Sequence, residues 1–132
     1  MKYVSIKLIP LLILLFSMMV ACDTGSNKPS SQTPCDKPSS LKGTITQITS
    51  GTSANGLVID STKEQGVQYS KFYAIVKAGT AVFEKQSQEC RSMSFADLKI
   101  GQRVQLQSTG PVAQSFPVQL TATEIVILPP GA

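Results

Sequence analysis

The sequence has 132 residues, a formal net charge of +4, three Cys, and neither His nor Trp. That length holds one domain at most, and the missing His removes the base of Ser-His-Asp and Cys-His catalysis. Three of the four Met lie before residue 20, so transition-metal donors are scarce; Lys and Arg form no run that would mark a nucleic-acid partner.

The chain opens "MKYVSIKLIPLLILLFSMMVACDTG". Lys2 and Lys7 supply a positive start, and residues 8–20 form an apolar run broken only by Pro10 and Ser17. This is the length of a signal-peptide core and shorter than the roughly 20 residues that span a bilayer. "MVAC" resembles the lipobox of bacterial lipoproteins: Val20 and Ala21 occupy the small positions, and Met19 stands where Leu is usual. The resemblance implies that Cys22 carries a diacylglyceryl group and becomes the first residue of the mature chain. Residues 1–21 would be the signal peptide. Acyl chains anchor at about 0.8 kcal/mol per buried methylene, so two or three give stable attachment. The alternatives are secretion after cleavage behind Ala21 and an uncleaved N-terminal anchor. Asp23 resembles the inner-membrane retention signal of some Gram-negative lipoproteins. The expected location is the outer face of the cytoplasmic membrane. Loss of Lys2 and Lys7 would lower the net charge from +4 to +2.

Residues 22–40 are rich in Ser, Pro, Thr and Asn and read as a lipidated Cys followed by a flexible tether. From Leu41 to Ala132 the texture is that of a β domain. "GTITQIT" and "GLVIDST" read as strands, with Asn55-Gly56 as a turn signal between them. "KFYAIVKA" alternates, placing Phe72, Ala74 and Val76 on one face and Tyr73, Ile75 and Lys77 on the other. "TAVFEK" extends or re-enters the sheet after Gly79. In "SMSFADLKIGQRVQLQ", Ser94 and Asp97 have capping-box spacing around a short helical turn, with Phe95 and Leu98 facing inward. Gly101 ends that turn, where a positive φ carries no penalty. Val104 and Leu106 then alternate with Arg103, Gln105 and Gln107, the pattern of a half-exposed strand. "VQLTATEIVIL" closes the domain, its continuous apolar end suited to a closed sheet. Short strands with one helical turn before the fourth predict a mainly β, OB-like five-stranded barrel. A small β-sandwich is the alternative.

The matching pieces "KGTITQI", "FADLKIGQRVQL" and "GPVAQSFPVQLTATEIVI", behind an exported N-terminus, resemble the YobA-like family of small exported bacterial proteins. The pattern falls on Gly43 and Ile45, on residues 97–104, on residues 110–119, and on Ala122 and Ile125. The likeness covers about 90 residues and implies fold and export; the family carries no established activity.

Four residues of "GPVAQSFPVQ" form a candidate binding loop: Gln114, Ser115, Phe116 and Gln119 present an apolar ring edged by amides. The plainer alternative has Phe116 plugging the barrel mouth while Pro117 sets the start of the strand. The acids Asp60, Glu64, Glu84, Glu89, Asp97 and Glu124 show no catalytic spacing and read as solvated charge. Ser61-Thr62-Lys63 reads as a turn. With Cys22 acylated, Cys35 and Cys90 form an even pair in an oxidising compartment, which favours a bridge over two free thiols. No catalytic residue, metal ligand or cofactor is expected. The sequence therefore points to a non-catalytic binding module, with the membrane as one partner and an envelope protein or small ligand as another. An envelope enzyme or inhibitor using surface carboxylates is the alternative, and a structural spacer a third.

Overall fold

The computed structural model describes residues 33–131; the expected signal peptide, Cys22 and the first part of the expected tether lie outside them. Six strands form one sheet: β1 (Leu41–Thr49), β2 (Asn55–Asp60), β3 (Lys71–Gln86), β4 (Glu89–Met93), β5 (Arg103–Ala113) and β6 (Val118–Ile127). Two single 3-10 turns, Pro34–Asp36 and Phe95–Asp97, are the helical elements among the described residues. The strand order is β2-β1-β5-β6-β3-β4, and a further β2–β3 pairing closes the ring. Five strands therefore make the barrel, and β4 hangs outside it as a hairpin partner of β3. The neighbours are antiparallel except β3 and β6, which run parallel. This is the expected OB-like barrel, with the Phe95–Asp97 turn before its fourth strand.

Alternation builds the interior. Ile45, Leu57, Ile59, Phe72, Val104, Leu106 and Ile125 are fully buried in one cluster, each standing opposite a more exposed neighbour along its strand. Closure leaves no unpaired edge in the ring. Bulges at Ile45/Gln47, Val76/Ala81 and Gln107/Ser108 bend the long strands enough to curl. Gly43 permits the close approach of β1 to β2: a Cβ there would lie 2.5 Å from the Asp60 carbonyl oxygen and 2.6 Å from Ile59.

The helical turn follows its sequence. The Ser94 amide and hydroxyl both donate to Asp97 Oδ2 at 2.9 Å. These bonds hold the Asp97 carboxyl below its ordinary range, the amide being the larger cause. Leu98 is buried, Phe95 packs against the core, and Gly101 takes φ 92°.

Four local features differ from the sequence reading. Asn55-Gly56 opens β2, and residues 50–54 form the connection instead. Gly56 has no positive φ; its missing side chain makes room for the Tyr73 ring. β4 is an added strand, reached through a tight connection where Ser87 takes φ 52°. Gln105 is 9% exposed, although alternation assigns it to solvent. The reason is the fourth difference. Residues 33–39, assigned by composition to the tether, lie against the barrel and cover Gln105. The folded unit thus begins before Leu41.

Candidate functional site

The outside of the barrel divides into a covered face and an open one. Residues 33–39 make the cover. Cys35 is 4% exposed and disulfide-bonded to Cys90 on β4, with Cα atoms 5.8 Å apart. The expected pairing is therefore present. Gln105 donates its side-chain amide to the Lys37 carbonyl, and Gln107 donates to the Pro38 carbonyl at 3.0 Å. The Ser39 hydroxyl donates to the Leu106 carbonyl. Lys37 pairs with Glu124 and Lys85 with Asp36, each at 3.1 Å. The Asp36 carboxyl is held low by its bond from Thr33 and then by Lys85. Val126 lies between Gln105 and Phe83 in register, outside the core cluster, and is only 2% exposed beneath this cover. Glu124 keeps one buried carboxylate oxygen without a partner.

The open face is set by strand register. Val58 on β2 stands beside Tyr73 on β3, and Tyr73 beside Gln119 on β6. One step along, Gly56, Ile75 and Thr121 form a parallel row. Outward residues therefore run along β3 as Lys71, Tyr73, Ile75 and Lys77. The end of the Tyr73 phenol ring lies over Gly56, where any Cβ would collide with it. The ring is thus laid along the sheet surface and stays partly exposed. A shallow groove of about 160 Å³, lined by Thr44, Thr46, Asp60, Thr62 and Lys63, adjoins the Lys71 end. Thr62 donates both its hydroxyl and its amide to Asp60 Oδ1, at 2.6 and 2.9 Å, which lowers the Asp60 pKa.

The candidate loop borders this face. Gln114, Ser115 and Phe116 lie between β5 and β6, and Gln119 lies one residue inside β6. The Phe116-Pro117 peptide is cis, and the Ser115 hydroxyl donates to the Pro117 carbonyl at 2.8 Å. Phe116 is 85% exposed, so it does not plug the barrel mouth. The register puts Gln119 beside Tyr73 and leaves Gln114 and Ser115 on the loop. Tyr73 is the residue that loop-centred reading overlooks. Alternation in "KFYAIVKA" shows that it faces outward; nothing local shows that Gln119, 46 positions later, arrives next to it.

The acids are mostly tied into the frame. Glu64 accepts two bonds from Arg103, at 2.6 and 2.9 Å, which lower its pKa and raise that of Arg103. Glu84 pairs with Arg91 at 3.2 Å. Ser61 is 1% exposed and donates to the Lys42 carbonyl, closing the expected turn with the Glu64 amide on its own carbonyl. Among the described residues no group of three His, Cys, Asp or Glu could hold a metal ion.

Fold and face together define a closed OB-like barrel with one outer surface covered by residues 33–39 and one that no other described segment crosses. The chain matches no protein-family model, no curated protein and no solved structure.

Proposed function

We propose that this chain is an extracytoplasmic lipoprotein whose barrel is a non-catalytic binding module. Cys22 carries the lipid and holds the chain at the outer face of the cytoplasmic membrane. The N-terminal pattern supports the anchor, and the resemblance to YobA-like proteins supports export. One observation carries the binding reading: Phe116 is 85% exposed on a loop bordering the Tyr73–Gln119 row. A ring that is 85% exposed buries little against the fold, and burial of such a ring by a partner is worth about 1.5–3 kcal/mol. The acids support a structural use of charge, since Glu64, Glu84, Glu124 and Asp36 each hold a cation.

A photo-crosslinking residue at position 116 tests this reading in living cells. Crosslinks to an envelope component should form at 116 and be absent when the same residue replaces Lys85 beside the covered face. Equal labelling at both positions would remove the open face from the reading. The anchor has its own test. Cys22→Ser should shift the chain from the membrane to the soluble fraction; a processed, membrane-bound Ser variant would overturn the lipid assignment.

A further inference from the structure

Among the described residues two large apolar side chains stand in water, Phe116 at 85% exposure and Ile100 at 66%. They lie at opposite ends of one strand pair. β3 and β6 run parallel: Val118, just after Phe116, stands beside Phe72, and Ile127 stands beside Glu84. The Leu128 amide donates to the Arg103 carbonyl at 2.9 Å, which brings residues 100–103 to the Ile127 end. Val118 and Ile127 are about 30 Å apart along the strand, at about 3.3 Å per residue. A fixed turn presents Ile100. Gln102 donates its amide to the Lys99 carbonyl at 3.2 Å, Lys99 its amide to Gln102 Oε1 at 2.7 Å, and Gly101 its amide to the Ile45 carbonyl at 2.8 Å. Beside the turn lies a shallow groove of about 640 Å³, whose lining includes Ile100, Ile127, Leu128, Pro129, Pro130 and Lys85. Lys85 is also the cation of Asp36, and Asp36 Oδ2 accepts the Thr33 hydroxyl at 2.5 Å. Thr33 is the first described residue. The described chain therefore starts at the Ile100 end, and the Cys35–Cys90 bridge fastens it there.

We infer that the Ile100 turn rests on the membrane surface, with the Ile100 side chain at the headgroup–acyl boundary and Phe116 turned away from the lipid. The inference rests on lipid attachment at Cys22 and adds an orientation to it. Residues 22–32 separate Cys22 from the described chain, a span of at most about 40 Å. The lipid surface is thus the one partner always held within reach of this end. A single aliphatic side chain is too small to hold a free protein on a bilayer. A tether makes the contact intramolecular, at an effective concentration of about millimolar for a short linker. That concentration is higher at the end where the tether joins than at the far end, which favours Ile100 over Phe116. The contact selects no charge. Lys85, Arg103 and Glu84 are each paired within the protein, and the Lys99 stem is long enough to keep its ammonium among the headgroups. A second copy docked here would need roughly 800 Å² from each partner, far more than one aliphatic side chain with a proline rim offers. The orientation also leaves the Phe116 loop facing outward, as the binding reading requires.

The chain has no Trp, so an introduced one is a clean reporter. The full lipidated chain is reconstituted into phosphatidylcholine vesicles whose acyl chains carry bromine, which quenches indole on contact. Ile100→Trp and Phe116→Trp put the same ring at two exposed apolar positions, so the intrinsic affinity of indole for bilayers cancels. Quenching should be at least about twofold greater for Ile100→Trp, as for an apolar side chain seated at the acyl boundary. A second reporter, Pro130→Trp, leaves Ile100 in place; adding Ile100→Ser to it should lower its quenching about twofold or more while thermal melts stay unchanged, as for surface substitutions generally. Flotation of the vesicles separates the two readings. A chain that floats with equal quenching at positions 100 and 116, or with Ile100→Ser without effect, overturns the orientation and leaves the anchor standing. A chain that does not float removes the anchor and the orientation together. An Ile100→Trp ring shielded from aqueous iodide yet untouched by bromine is covered by protein, and this too would overturn the inference.

Discussion

The covered and open faces of this barrel use similar side chains to opposite ends. On the covered face Gln105 and Gln107 point outward, as alternation requires, and each gives its amide to a carbonyl of residues 33–39. On the open face Gln119 also points outward, and it stays exposed beside Tyr73. Lys37 and Lys85 are paired on one side, while Lys71 and Lys77 make no ion pair among the described residues on the other. The difference lies in what the chain itself brings. A covalent bond at Cys35–Cys90 fixes the N-terminal segment over β5, β6 and the second half of β3. No comparable element among the described residues reaches the first half of β3. A face whose polar groups are satisfied internally contributes to stability; one whose groups still face water is available to a partner.

Cutting the bridge should have the largest effect. The bond spans 55 residues, and the chain-entropy model assigns such a loop about 4 kcal/mol. Cys35→Ser and Cys90→Ser should each cost about that much in denaturant unfolding, and the double variant little more than either alone. Amide exchange should speed up at Gln105 and Val126 first. Faster exchange at Tyr73 and Gln119 instead would erase the distinction between the faces.

A smaller loss is expected at the clasp between the β2–β3 connection and β5. Glu64, 12% exposed at its side chain, is bound by Arg103 through two hydrogen bonds. Glu64→Gln should cost about 1–2 kcal/mol. The pH dependence has a fixed sign. Folding lowers the Glu64 pKa, so its contribution is complete above the ordinary value of 4.5 and fades as the pH falls through the lower folded value. Acid titration of the parent and the Gln variant should therefore converge at low pH. A gap that persists or widens there would show that the clasp acts through packing instead of charge.

Gly56→Ala sharpens the comparison from the open side. The new methyl would collide with the end of the Tyr73 ring, which can swing outward, so the cost should be near the low end for overpacking, about 1 kcal/mol. The Tyr73 ring resonances should move while those of Val126 do not. The smallest effect belongs to Phe116→Ala. With the ring 85% exposed, stability should stay within about 0.5 kcal/mol of the parent in thermal melts, as for surface changes generally. A loss several times larger would show that Phe116 packs against the domain after all.

The sequence by itself determined the barrel's interior, the helical turn and the bridged pair of cysteines. Phe72, Ala74 and Val76, or Val104 and Leu106, show their facing because a strand repeats every two residues and the core excludes water. Ser94, Asp97 and Gly101 show their turn because capping and a positive φ are satisfied within a few residues. Cys35 and Cys90 were expected to pair because the lipobox resemblance sets Cys22 aside and leaves an even pair, and the structure bridges them. The tertiary structure alone decided what lies outside the barrel. Gln105 and Gln119 look alike in a strand pattern; one is covered because a segment 68 positions away in sequence offers a carbonyl that accepts its amide N–H, and the other is open because nothing described crosses it. Asn55-Gly56 has the local signature of a turn, yet it begins β2, and its Gly provides space for a ring that arrives 17 residues later. β4 was hidden for the same reason: its short, polar run gains its place by pairing with the far end of β3. Local chemistry sets which way a side chain points, whereas the neighbour it meets depends on closure of the ring, to which every strand contributes at once.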